Sequence, residues 1–326
     1  MRILITGGAG FIGSNLLHYL HQKYPTYSLI NLDKLTYAGN LDNLKDLQTC
    51  SNYRFIKGDI ISRKMLEPLF QEGIDGIIHL AAESHVDRSI DHPQRFVITN
   101  VLGTQVLLDL VREYKVARYL QISTDEVYGS LTSTGFFTEE TPLAPNSPYS
   151  SSKAAADLLV RAAYHTYQLP VIITRCSNNY GPYQFPEKLI PLIITNALEG
   201  KELPLYGDGL NIRDWIYVKD HCRAIDLVFH QGNVGEVYNI GCNEEHSNLE
   251  IVKLILNELR LPDSMIKYVI DRPGHDRRYA IDASKIRNTL GWTPIINFQT
   301  GLKETIQWYL DHRSWLKDVK SRGDRL

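Results

Sequence analysis

Short apolar runs alternate with longer stretches of helical spacing through the first half of the chain. Ile3, Leu4 and Ile5 predict a strand over Arg2–Thr6. Phe11, Ile12, Leu16, Leu17 and Leu20 then fall on one face of a helix over Phe11–Lys23. Further apolar runs predict strands at Ser28–Leu32, Tyr53–Lys57, Gly76–Ala82, Arg118–Ser123 and Val171–Arg175. Helices are predicted over Pro93–Tyr114 and around Tyr149–Tyr167. Strands that alternate with helices imply an α/β fold, a parallel sheet covered on both faces. Right-handed crossovers make that sheet doubly wound and put ligands at the carboxyl ends of its strands.

The pattern changes after Cys176. Ser177–Pro186 is rich in Asn, Tyr, Gly and Pro and reads as a loop. A helix at Leu189–Leu198, a strand at Leu203–Tyr206 and a Gly207-Asp208-Gly209 turn follow. Asn248–Leu259 is amphipathic, with Ser247 or Asn248 as its cap. Asp282 is expected to cap a short helix that stops at Gly291, and a last helix over Phe298–His312 to precede a charged, frayed tail. These shifts divide the chain into a first domain at 1–176 and a smaller C-terminal, substrate-binding lobe at 177–326, with a stretch near 211–240 returning to the first.

Composition narrows the partners. With 43% hydrophobic and 22% charged residues, a chain of 326 residues can bury a large core. A formal net charge of −2 offers no basic field for nucleic acid. No apolar run approaches the roughly 20 residues that span a bilayer. The four cysteines show neither CxxC spacing nor a disulfide framework, so reduced thiols in a cytoplasmic protein are expected. No spacing marks a metal site, and most of the 11 histidines are isolated.

Three groups of residues carry chemistry. Gly7, Gly10 and Gly13 form Gly-x-x-Gly-x-x-Gly between a strand and a helix, which reads as a Rossmann-like dinucleotide turn. The glycines allow close approach of a pyrophosphate, and the helix N-terminus supplies N–H groups. Asp33 ends the next strand, where a carboxylate accepts from ribose hydroxyls and repels a 2′-phosphate, so NAD is favoured over NADP. Asp59, after the third strand, is placed to reach an adenine amine. Tyr149 and Lys153 are four residues apart on one helix face. A tyrosine is a poor base at its reference pKa near 10, and an adjacent ammonium would favour phenolate. Asp125 and Glu126 then supply an acid and a base at the end of the fifth strand.

Gly7–Gly13, Asp33, Leu80-Ala81-Ala82-Glu83-Ser84, Asn100 and Tyr149-x-x-x-Lys153 resemble the extended short-chain dehydrogenase/reductase superfamily. Leu35-Thr36-Tyr37-Ala38-Gly39-Asn40, Ser123–Gly129, Arg175–Pro182 and Asp271-Arg-Pro-Gly-His275 resemble the dTDP-glucose 4,6-dehydratases more closely, from Arg2 to about Trp308. The resemblance implies oxidation at C4 by NAD, elimination of water across C5–C6, and return of hydride to C6. It implies Tyr149, Lys153 and Thr124 for the redox step, Glu126 as base at C5 and Asp125 as acid at the C6 hydroxyl. The two carboxyl groups should then have pKa values pushed apart.

The resemblance further implies cofactor contacts from Phe11, Ile12, Lys34, Leu35, Thr36, Ile60, Leu80, Ala81, Ala82, Ser84, Thr99 and Asn179. On the substrate side it implies Lys188, Arg213, Arg272 and His275 for the diphosphate or nucleotide, and Asn178, Glu187, Leu189 and Asn248 for other contacts. Pro204 and Tyr206 would line the base, and Ser84 would lie where substrate and cofactor meet. The helices around Pro93–Tyr114 and Ser147–Tyr167 would form a homodimer interface, as in relatives. A nucleotide-sugar 4-epimerase needs neither a C5 base nor a C6 acid, and UDP-glucuronate decarboxylases generally lack the aspartate. Asp125-Glu126 therefore argues against both. A non-catalytic NAD-binding sensor would commonly lose Tyr149 or Lys153. UDP-glucose is the rival substrate, since base selectivity lies in a few loop contacts.

Overall fold

The computed structural model describes residues 1–323. Twelve strands are numbered along the described residues. β1 (Arg2–Thr6), β2 (Ser28–Asp33), β3 (Tyr53–Lys57), β4 (Gly76–His79), β5 (Arg118–Thr124) and β6 (Val171–Cys176) come first. β7 (Asn178–Tyr180), β8 (Leu203–Tyr206), β9 (Ile212–Tyr217), β10 (Val237–Ile240), β11 (Glu245–Ser247) and β12 (Ile266–Val269) follow. The main sheet has seven strands in the order β10-β6-β5-β4-β1-β2-β3, all parallel. Its strand order reverses between β1 and β4, so a crevice opens there at the carboxyl ends.

Alternation along each strand builds two cores. Ile3, Ile5, Leu29, Ile78 and Leu120 pack on one face, and Leu4, Ile30, Ile77 and Tyr119 on the other. Full burial of each such aliphatic side chain contributes about 1.5–3 kcal/mol. The helix Val218–Gln231 and the segment around Ile286 and Trp292 also pack on the first face, and β10 completes that sheet edge. A third core gathers the helices Leu189–Leu198, Asn248–Leu259 and Phe298–Asp311 around β8 and β9. β7, β9 and β11 form a small second sheet, and β8 pairs with β12. Among the described residues no helix is long and apolar enough to cross a membrane.

Five predicted features differ in the structure. The expected Ser177–Pro186 loop contains β7. Asp282 stands one residue before the N-cap of the helix Ser284–Leu290, which is Ala283, and its Oδ1 accepts from Ser284 N at 2.7 Å. β4 ends at His79 rather than Ala82, because the Ala81 N–H turns to the Thr6 hydroxyl (3.2 Å) and the chain crosses over Gly7. The single helix expected over Pro93–Tyr114 has a wider, π-helical turn at Val97–Leu102, followed by an α-helix over Gly103–Glu113. That turn carries Asn100, whose side chain holds both the N–H and the C=O of Glu83 (2.9 and 3.0 Å) and the Ser152 hydroxyl (2.8 Å). The expected frayed tail is instead a helix, Arg313–Gly323. Leu316 and Val319 are buried, and Trp315 Nε1 donates to Asn43 Oδ1 at 2.7 Å. Apolar positions set among the charges give this tail a face to bury.

Candidate active site

The crevice at the strand-order reversal is lined by four groups of backbone and side chain. The first is the turn after β1. A Cβ on Gly7, whose φ is +72°, would stand 2.7 Å from Ala81 Cα, and one on Gly13 would stand 2.3 Å from Gly7 O. Glycine is therefore required at both positions for the strand, helix and β4 loop to meet. The helix Phe11–Lys23 starts at the crevice, and its first-turn N–H groups have no intrahelical acceptors. Such a terminus favours an anion.

The second group follows β2 and β3. Asp33 is buried and accepts from Ala9 N (3.0 Å) and Leu35 N (2.8 Å), one bond on each carboxylate oxygen. Burial raises its pKa, and both N–H donors oppose that shift. Each oxygen keeps a lone pair for a hydroxyl. Lys34 and Asp59 form an ion pair at 2.7 Å and line the crevice with Thr36 and Ile60. Leu35 departs from expectation, because it is not part of the lining. Its contribution is backbone: φ of +57° and the N–H held by Asp33 turn the chain at the base of the 34–40 loop.

The third group lies after β4 and along the helices. Leu80, Ala81, Ala82, Ser84 and Thr99 line the crevice, as do Tyr149 and Lys153. The helix Pro148–Tyr167 begins with a capping box in which Ser147 and Ser150 satisfy each other's backbone N–H. Its first turn thereby fixes Tyr149, which is buried. Lys153 is not among the main influences on the Tyr149 phenol. Lys153 Nζ donates to Ile122 O at 2.7 Å, and burial lowers the lysine pKa against the favourable charge of Asp157. Burial, then the charge of Glu126, hold the Tyr149 phenol well above its ordinary range. The neighbour that favours its ionisation is the Thr124 hydroxyl.

The fourth group is the carboxylate pair. Asp125 and Glu126 start a 3-10 turn, Asp125–Tyr128, directly after β5. Thr124 is its hub: Oγ1 donates to Asp125 Oδ1 (3.3 Å) and accepts from Glu126 N (3.3 Å). The turn is anchored from behind by Tyr128, whose hydroxyl meets Arg175 Nη1 (3.0 Å) and Asn239 Oδ1 (2.8 Å). Arg175 in turn pairs with buried Asp157 at 2.9 Å. Burial raises the pKa of both carboxyl groups, but their neighbours differ. Asp125 is pushed well above the ordinary range by burial, then by Glu126 and Asp214, and its Oδ2 is buried without a hydrogen-bond partner. For Glu126 burial is countered by Arg272, Lys188 and Arg213. Asp125 is therefore suited to hold a proton and Glu126 to lose one.

Asn178, Asn179, Glu187 and Lys188 also reach the crevice, and Lys188 Nζ donates to Ser84 O at 2.8 Å. Leu189, Pro204, Tyr206, Arg213, Asn248, Arg272 and His275 do not line it. Several of these form a flank beside it instead. Arg272 pairs with Asp87 (3.2 Å), Tyr206 donates to the same carboxylate (3.2 Å), and the Tyr206 ring meets His275 edge-on. Arg213 is buried with its guanidinium over Tyr279 and bonded to Asp276 O (2.9 Å). Asn248 is buried at the start of its helix, which Ser247 caps. The sequence reading missed Cys176, Ser177, Gln184 and Phe185, which line the crevice, and Asp214, which acts on Asp125. Their places at the end of β6, in the Ser177–Pro186 stretch and in β9 were the available signal.

Comparison with known proteins agrees with this geometry. Residues 4–305 match the family model described as GDP-mannose 4,6 dehydratase. The dTDP-glucose 4,6-dehydratase of Xanthomonas campestris is 52% identical over 99% of this chain and 97% of its own. The dTDP-glucose 4,6-dehydratase of Bacillus anthracis, solved in complex with NAD, is 58% identical with a TM-score of 0.92, covering 98% of this chain and 99% of that one. DesIV, the dTDP-glucose 4,6-dehydratase of Streptomyces venezuelae solved with NAD and TYD bound, is 49% identical with a TM-score of 0.94, covering 98% and 100%. The chain belongs to the family that the GDP-mannose 4,6 dehydratase model describes and, within it, to the dTDP-glucose 4,6-dehydratases.

Proposed function

We propose that this protein converts dTDP-glucose to dTDP-4-keto-6-deoxyglucose and water, as a lyase that uses NAD as a catalyst. The observation that carries this reading is the Asp125–Glu126 pair, set in one crevice with Tyr149, Lys153 and the glycine turn but in contrasting electrostatic surroundings. The residues present fit NAD: a glycine cradle that a Cβ would fill, a helix N-terminus for phosphates, and Asp33 for the ribose. Bound there, NAD supplies the acceptor and later the donor of the hydride.

The chain's own residues handle the protons. Tyr149 accepts the proton of the sugar 4-hydroxyl, with Thr124 hydrogen-bonded beside it. A positively charged nicotinamide ring would favour the phenolate that burial opposes. Lys153, fixed by Ile122 O, places positive charge under this helix face. The C4 ketone acidifies the C5 proton, which Glu126 removes. Asp125 gives its proton to the C6 hydroxyl, which leaves as water. The C5–C6 double bond then receives the returning hydride at C6 and, from Glu126, a proton at C5; Tyr149 gives up its proton and Asp125 regains one, so no net reduction occurs.

Lys188, Arg213 and Arg272 surround Glu126 with positive charge, and their donors suit the substrate diphosphate. Tyr206 and His275 flank the path to the base. The protein acts as a cytoplasmic homodimer through the continuous helical stretch 93–113, π-helical turn included, and the helix Pro148–Tyr167. Val97, Leu102 and Leu158 are exposed there. Residues 1–176 with the returning segments act as the cofactor domain, and the rest as the sugar-nucleotide lobe. Incubation with dTDP-glucose and, separately, UDP-glucose at equal concentration tests this. The expected product is 18 mass units lighter, about one water, without net NADH, and faster with dTDP-glucose. Intact dTDP-glucose after incubation with the NAD-loaded protein would refute the reading.

A further inference from the structure

We propose that Tyr37, Arg88 and Glu187 form a clasp that closes the cofactor crevice and keeps the dinucleotide bound between the two half-reactions. This rests on the dehydratase reading, because that cycle leaves the cofactor reduced until the hydride returns. Loss of the reduced cofactor at that stage would strand an oxidised sugar.

The clasp joins three separate segments. Tyr37 sits near the tip of the 34–40 loop, and its hydroxyl donates to Glu187 Oε1 at 2.8 Å. Arg88, on the short helix Val86–Asp91, places its guanidinium carbon 3.7 Å from the centre of the Tyr37 ring and its Nε 3.3 Å from Glu187 Oε2. Phe185 meets the Tyr37 ring edge-on at 5.3 Å. Each partner thus contacts both others, through a charge-assisted bond, an ion pair and a cation–π stack. The cations facing Glu187 are Lys188 and Arg88; His85 lies 3.9 Å away, and burial lowers its pKa to about 4.

The placement of these contacts assigns the role. Thr36, Ala38, Gly39, Phe185 and Glu187 line the crevice, whereas Tyr37 and Arg88 stand outside that lining. The base of the loop is already pinned to the cradle: Leu35 N donates to Asp33, and Asn40 N donates to Ala9 O at 2.9 Å. A loop fixed at its base to the glycine turn and latched at its tip to the far wall spans the opening. Release of a bound dinucleotide then requires the latch to part.

Dissociation of cofactor from the purified, NAD-loaded full chain tests the clasp, by exchange with deuterated NAD followed by mass spectrometry. Tyr37→Phe removes one oxygen and keeps the ring contacts, and Arg88→Ala removes the stack and the ion pair. About tenfold faster exchange is expected in each, the effect of losing one charge-assisted hydrogen bond. Arg88→Lys keeps the charge without the planar stack and should fall between. During turnover of dTDP-glucose the fast-exchanging variants should release NADH visible at 340 nm, which wild type does not. Wild-type exchange rates in both Tyr37→Phe and Arg88→Lys would overturn the clasp, whether or not Arg88→Ala folds. A wild-type protein that exchanges slowly yet leaves dTDP-glucose intact would overturn the catalytic reading and not the clasp.

Discussion

The cofactor cradle and the substrate flank sit on either side of one crevice and are built in opposite ways. The cradle is made of backbone. Gly7, Gly13 and Ala81 meet at distances only glycine allows, and Asp33 holds N–H groups two and 24 residues away. The flank is made of long charged side chains from remote segments. Arg272 reaches Asp87 across 185 residues, and Tyr206 reaches it across 119. The difference teaches where tolerance lies. A cradle of close backbone contacts has no slack for an added atom. A flank of partly exposed ion pairs loses affinity when altered, without losing the fold.

The sharpest break of this comparison comes between the two regions, at the carboxylate pair. Glu126→Gln should lower turnover by about 10²–10⁴-fold, the usual contribution of a general base, while C4 oxidation persists. Rapid-quench mass analysis with C5-deuterated substrate would check this, and normal turnover would remove Glu126 from the mechanism. The pH profile sharpens the same point. Asp125 must stay protonated and its pKa is raised, so turnover should fall only as pH climbs through that raised value. Glu126 must be ionised, so turnover should fall as pH drops through a value somewhat above the ordinary carboxylate range. Asp125→Asn should lose the alkaline limb of kcat.

In the cradle, Gly7→Ala should cost about 2–3 kcal/mol through the positive φ and the contact with Ala81, with loss of bound NAD. A denaturant midpoint equal to wild type would show that the cradle has slack after all. In the flank, Arg272→Ala should raise KM for the nucleotide sugar about tenfold with an unchanged thermal midpoint. Equal losses in stability and affinity would erase the distinction between the regions.

The smallest effect is expected far from both, where Asp226 raises the pKa of His230 at 2.9 Å against burial that lowers it. The raised value makes protonated His230 stabilising below its unfolded pKa near 6.5, and that stability is lost as pH rises through the folded value. His230→Gln should therefore destabilise by under about 1 kcal/mol at pH 5.5 and by less at pH 9. Thermal unfolding at both pH values measures it, and a larger loss at pH 9 would reverse the sign.

Local spacing made the cradle legible. Gly-x-x-Gly-x-x-Gly between a strand and a helix, an acid at the next strand end, and Tyr149 four residues from Lys153 each occupy one short segment. The Asp125-Glu126 pair was legible for the same reason, and so was its position at a strand end. The contrast between the two carboxyl groups was not. It arises from Asp214 on one side and from Arg272, Lys188 and Arg213 on the other, all distant in sequence. Helical spacing put Lys153 on one face with Tyr149, but it did not show the carbonyl, Ile122 O, to which the lysine donates.

The sequence by itself determined the doubly wound sheet, the glycine turn and the candidates for acid, base and phenol, because strand alternation, turn geometry and helical period act within a few residues. Tertiary structure alone decided the charge states and the closures. The π-helical turn that aims Asn100, the tail helix on Trp315 and Val319, the two electrostatic settings of Asp125 and Glu126, and the Tyr37–Arg88–Glu187 contact all depend on segments brought together by folding. Burial and Coulomb interactions depend on distance in space, and no residue spacing along the chain encodes that distance.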